Sequence, residues 1–175
     1  ITTREPGGTS LAEKIRALLL NVEEDTPVPL TELLLMFASR AQHINKVIRP
    51  ALSDGLWVLC DRFTDATYAY QGGGRGVKLE LISLLEQIAQ EGLRPDLTLL
   101  LDVSPEVVLT RVRKRGDLDR FESENVEFFN TVRTAYLNIA EKDPERCITI
   151  DALREKSNVL CKVSEAIIEK FSLKK

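Results

Sequence analysis

Several arginines of this chain stand beside glycine or aspartate, where a planar guanidinium can grip a phosphate through two parallel hydrogen bonds. Arg4-Glu-Pro-Gly-Gly-Thr9 sets an arginine and a glycine pair ahead of a helix start, a place suited to an anion. Asp61-Arg-Phe63 joins a carboxylate to a guanidinium at the end of an apolar run, a pairing that can hold Mg²⁺ and phosphate side by side. Thr67-Tyr-Ala-Tyr-Gln-Gly-Gly-Gly-Arg75 follows with hydroxyls, an amide and what reads as a flexible turn ending in arginine. Leu33-Leu-Leu-Met-Phe-Ala-Ser-Arg40 puts Arg40 one helical turn beyond an apolar pair, so a nucleobase could rest on Met36 or Phe37 with its phosphate on Arg40. Arg111, Arg113 and Arg115 precede Gly116-Asp-Leu-Asp-Arg120, where Arg111 and Arg115 share a helix face and a mobile lid over a triphosphate is expected. The one histidine, His43, has no metal-like spacing and reads as a surface or partly packed residue.

These groups must be positioned by an α/β frame. Apolar runs at Leu56–Cys60, Leu97–Leu101 and Cys147–Ile150 each end at an aspartate, as buried parallel strands with helices on both faces would. Helices are expected from a capping box at Ser10 to about Leu20, then over about 30–53, 78–92, from Ser104-Pro105 through Arg111, over 123–142 and 155–172. Alternating strands and helices predict a parallel sheet that binds ligand at the C-terminal strand edge. Asp61, Asp102 and Asp151 would then face one crevice, with Asp102 in a turn or capping role.

The totals bound the possibilities. A chain of 175 residues, 43% apolar and 29% charged, suits one ordinary globular domain. A net charge of −3 supplies no overall basic field for nucleic acid or an anionic membrane, and no apolar run approaches a membrane span. Three cysteines without paired spacing point to free buried thiols and a cytoplasmic setting.

The ordered set Thr3-Arg-Glu-Pro-Gly-Gly-Thr9, Asp61-Arg-Phe63, Ala69-Tyr-Gln-Gly-Gly-Gly-Arg-Gly76, Arg94-Pro-Asp-Leu-Thr98 and Leu118-Asp-Arg-Phe-Glu122 resembles bacterial thymidylate kinase over the whole chain. The resemblance implies a P-loop kinase-like three-layer domain over 1–175 with a lid at about 111–124. It implies phosphorylation of dTMP by ATP with Mg²⁺, and a homodimer built on the helix expected over 30–53. It places Arg40 and Arg62 on the acceptor phosphate, Asp61 near Mg²⁺, and Arg4 and Glu5 along the acceptor side. Thr67 and Gln71 would meet the thymine edge, Tyr70 the deoxyribose, and Phe37 would stack on the base in place of Met36. Arg111, Arg115 and Arg120 would cover the ATP phosphates, and Asp151-Ala152 would lie near adenine. The family's Gly-rich loop ending in Lys-Ser/Thr does not occur in this sequence. From this the first strand and that loop are expected to be missing, and this segment alone to be inactive or weakly active. A non-catalytic nucleotide-binding module that keeps the dTMP pocket is the competing reading, and a kinase of the same fold for another nucleotide is a third.

Overall fold

The computed structural model describes residues 1–21, 25–116 and 119–173, and of residues 111–115 the backbone alone. Its strands are β1 (Thr2–Arg4), β2 (Leu59–Asp61), β3 (Thr98–Asp102) and β4 (Cys147–Asp151). Its α-helices are α1 (Ser10–Leu20), α2 (Pro29–His43), α3 (Arg49–Ser53), α4 (Thr64–Thr67), α5 (Leu79–Gln90), α6 (Pro105–Arg115), α7 (Val126–Lys142) and α8 (Lys156–Phe171). The architecture is α/β with parallel strands, as expected, but the single sheet is divided. β1 pairs with β2 and β3 with β4, both in parallel. Each strand thus has one hydrogen-bonded neighbour among the described residues, and Leu59 and Leu101 lie more than half exposed where strands buried on both faces were expected.

Local chemistry explains the helix boundaries. Thr9 caps α1, its hydroxyl accepting from the Ala12 N–H at 3.1 Å, so the cap falls one residue before the expected Ser10. Ser104 and Pro105 open α6 as the sequence suggests, although the Ser104 side chain makes no capping bond. The long helix expected over 30–53 is continuous but widens to a π-helix at Ile44–Ile48, just ahead of Pro50. Pro50 has no N–H for the Lys46 carbonyl and its ring crowds that carbonyl, a common cause of such a bulge.

The stretch expected to be a flexible turn is helical. α4 runs directly into a second π-helix, Tyr68–Gly74, which carries Tyr70 and Gln71. One side of this segment packs on Leu33, Phe37 and Ile82, the other on Phe128 and Val132 of α7. Its glycines serve close approach: a Cβ at Gly74 would lie 2.4 Å from Phe128 Cε2. Beyond this packing, Arg146, beside β4, ties the two strand pairs together. Its guanidinium binds Asp65 of α4 at 2.7 and 3.1 Å, Thr98 of β3 at 2.8 Å and Asp143 at 2.8 Å.

Candidate active site

Parallel register sets Arg4 opposite Asp61, so the C-terminal ends of β1 and β2 deliver a guanidinium and a carboxylate together. The Glu5 N–H donates to the Asp61 carbonyl at 3.0 Å, which extends that alignment past the strand ends. Arg62 then turns with φ 64°, a left-handed conformation that costs a non-glycine residue about 1–2 kcal/mol and that concentrates at functional sites. Its guanidinium lies 5.1 Å from the centre of the Tyr70 ring. Burial opposes the Arg62 charge, but Tyr70, Tyr136 and Asp61 outweigh it and hold the pKa above the ordinary arginine value.

These strand ends open on a cavity of about 250 Å³. Arg4, Glu5, Arg16, Met36, Arg40, Asp61, Arg62, Phe63, Thr67, Tyr70 and Gln71 line it, with Val108 and Leu109 of α6 and Asp119, Phe121 and Glu122 beyond. Four guanidiniums on one wall suit a polyanion.

Arg40 is held from three sides. Its Nε donates to Glu5 Oε2 at 2.7 Å and one Nη to the Thr67 hydroxyl at 3.1 Å, while the guanidinium lies 4.8 Å from the Phe37 ring centre and 5.3 Å from that of Phe63. Its remaining nitrogen, Nη1, is buried without a partner. A buried charged donor without a partner is expensive unless an oxygen from a ligand or water completes it.

A second buried network lies behind the cavity. Glu32, fully buried, accepts from Gln71 Nε2 at 2.7 Å through Oε1, and its Oε2 takes a hydrogen bond from Arg120. Arg75 stands 3.5 Å from the same oxygen and binds Glu124 at 2.5 Å. Arg120 also donates from Nε to the Leu19 carbonyl at 2.9 Å.

Comparison with known proteins shows the family. The model of the family described as "Thymidylate kinase" matches residues 1–163. The thymidylate kinase of Pseudomonas putida is 59% identical over 152 residues, covering 87% of this chain and 72% of that protein. That of Pseudomonas syringae pv. tomato is 53% identical over 175 residues, 100% of this chain and 83% of its own. The crystal structure of thymidylate kinase from Ehrlichia chaffeensis superposes with a TM-score of 0.75 at 34% identity, covering 95% of this chain and 79% of that one. The chain belongs to the thymidylate kinase family. It is accordingly an enzyme of the nucleoside monophosphate kinase class.

Of the residues that the family resemblance singles out, Arg4, Glu5, Arg40, Asp61, Arg62, Thr67, Tyr70 and Gln71 all meet at this one cavity. Others lie elsewhere. Phe37, expected against the base, is 4% exposed in the core with Leu33 and Ile82, and Met36 takes the cavity wall, because successive helix positions are about 100° apart. Arg120, expected over ATP phosphates, is turned inward to Glu32. The side chains of Arg111 and Arg115 lie outside the described residues. Asp102 forms a bidentate ion pair with Arg133 at 2.7 and 2.8 Å, and Asp151 accepts from Leu153 N–H and Arg154, so of the three strand-end aspartates only Asp61 faces the cavity. Ala152 donates its N–H to the Asp102 carbonyl at 2.8 Å, tying the 151–152 turn to β3.

Three features escaped the sequence reading. His43 is fully buried, its Nδ1 2.9 Å from Glu5 Oε1 and its Nε2 2.7 Å from the Thr3 hydroxyl. Arg16 lines the cavity and donates to the Pro6 carbonyl at 3.1 Å, and its place one turn past Glu13, on the helix that Thr9 caps, was an available signal. Cys161 is exposed, and only Cys147 of the three thiols is fully buried.

Mg²⁺ would find partial ligation here. Among the described residues no cluster of three or more metal-binding side chains occurs. Asp61 beside Arg62 suits an ion held by one carboxylate together with substrate phosphates, the usual protein contribution to Mg²⁺.

Proposed function

We propose that the cavity at the β1–β2 edge is the acceptor site of a dTMP kinase. The γ-phosphoryl of ATP passes to a phosphate oxygen of dTMP, the bond from Pγ to the bridging oxygen breaks, and ADP and dTDP leave. The observation that carries this reading is the unpartnered Arg40 Nη1, oriented by Glu5, Thr67 and two aromatic rings on a wall it shares with Arg4, Arg16 and Arg62. Arg40 donates to an acceptor oxygen of dTMP, and Arg62 neutralises its phosphate. Thr67 and Gln71 read the base edge, Tyr70 lies against the sugar, and Met36 contacts the ring. Asp61 holds Mg²⁺, which when bound draws charge from the phosphates being joined. No general base is required, since the attacking phosphate oxygen is already ionised, and catalysis is positioning and charge stabilisation.

On this reading Arg111 and Arg115 close over ATP as a lid, the turn at Asp151-Ala152 lies toward the adenine, and the enzyme works in the cytoplasm. The homodimer forms through the apolar side chains that α2 leaves exposed, Leu30 and Leu34. Light scattering giving a monomer at micromolar concentration removes that last part.

The test is a coupled ADP-release assay on the full-length protein with dTMP, dUMP, UMP and dGMP. Preference for dTMP is expected, and preference for another acceptor refutes the assignment.

A further inference from the structure

Gln71 lines the cavity, yet its amide is not free to choose which end it shows. Glu32 is paired with Arg120 as a carboxylate, and a carboxylate only accepts. It therefore takes the Nε2 end of Gln71, at 2.7 Å, with both side chains wholly buried. The end left for the cavity is the acceptor, Oε1. Glu32 itself is kept from rotating by Arg120, which is anchored in turn on the Leu19 carbonyl, and by Arg75, which stands at the same carboxylate oxygen. Glu32 is absent from the cavity wall, so whatever it does for substrate it does through Gln71.

We infer that Glu32 is a positioning residue for specificity: by fixing the Gln71 amide it makes the pocket present an acceptor, which selects a base carrying an N–H at the position read. This rests on the dTMP reading of the site. Thymine has N–H at ring position 3, whereas cytosine has a lone pair there and would face Oε1 acceptor to acceptor. A site built for one hydrogen-bond pattern rejects the reverse pattern strongly, because its own buried group is left unpaired.

Glu32→Gln removes the constraint. An amide at position 32 offers both a donor and an acceptor, and Gln71 becomes free to flip. The experiment compares kcat/KM for dTMP and 5-methyl-dCMP, which share the 5-methyl group, in the full-length wild type and in E32Q. The preference for dTMP is expected to fall about tenfold or more in E32Q, chiefly through a higher KM for dTMP. A reciprocal swap, Glu32→Gln with Gln71→Glu, keeps one carboxylate and one amide in the buried pair and again shows an acceptor to the cavity. It is expected to restore the preference, and it serves as the test should E32Q alone not fold. Equal loss for both substrates in E32Q, leaving the ratio at its wild-type value, overturns the assignment, as does a swap that discriminates no better than E32Q. A wild type without preference for dTMP overturns the underlying site reading as well, an outcome distinct from either.

Discussion

Glu5 Oε2 accepts from Arg40 Nε at 2.7 Å with both side chains 3% exposed, and the other carboxylate oxygen of Glu5 is 2.9 Å from His43 Nδ1. One buried acid therefore orients two groups on α2 and ties β1 to that helix. Removing its charge strands a guanidinium in the interior, which typically costs about 3–5 kcal/mol. We expect Glu5→Gln, an uncharged near-isostere, to lose roughly 3 kcal/mol in urea unfolding. A loss below about 1 kcal/mol would mean that the pair is as dispensable as a surface ion pair.

Arg40 Nη1 is a buried donor without a protein partner, on a residue that lines the cavity. Lysine keeps the charge but not the fork, so it fails to serve Glu5, Thr67 and a substrate oxygen at once. Isothermal titration of dTMP into Arg40→Lys should show binding weaker by roughly 10- to 100-fold, the equivalent of one charge-assisted hydrogen bond. Unchanged affinity contradicts the role given to Arg40.

Met36 and Phe37 divide two tasks. Phe37→Ala empties a core position against Leu33 and Ile82 and should cost about 3–5 kcal/mol of stability. Met36→Ala trims a half-buried cavity wall and should leave stability within about 1.5 kcal/mol of the wild type while raising the KM for dTMP. The reverse pattern in thermal melts and kinetics would return Phe37 to the base.

Burial, then the Glu5 charge, pushes the Cys60 thiol up to about 12, and burial raises Cys147 as well. Both favour the protonated form in the folded state. The unfolded chain ionises first, binds fewer protons above about pH 9, and gains stability relative to the native state. Native stability should therefore fall as pH rises from about 9 toward 12, and less steeply in Cys60→Ser than in the wild type. Urea midpoints at stepped pH measure this, and parallel curves for the two proteins refute it. Thiol reagents at pH 8 should label the exposed Cys161 well before the other two.

Spacing put Asp61-Arg62 at a strand end and Arg40 one helical turn past an apolar pair, and the resemblance to the thymidylate kinase family brought Arg4, Arg40, Asp61 and Arg62 together in expectation. What stayed hidden depends on partners distant in sequence. Arg120 in its Gly-Asp turn looks like any phosphate-binding arginine until Glu32, 88 residues away, is found beside it. His43 looks solvated until Glu5 closes over it from 38 residues back. Gly72–Gly74 reads as a loop because glycine is the usual loop former, whereas here the missing side chains let α5 approach at Gly72 and α7 at Gly73 and Gly74. The Met36/Phe37 choice turns on helix rotation, which both offsets from Arg40 leave open.

Arg146 reaches Asp65 and Thr98 across more than one turn of sequence distance, 81 and 48 residues. That guanidinium joins α4, beside the acceptor pocket, to β3 and β4. Replacing Asp65 would leave Arg146 with Asp143 and Thr98 but without its bidentate partner on α4, so the tie between the two strand pairs would loosen while the cation stays paired.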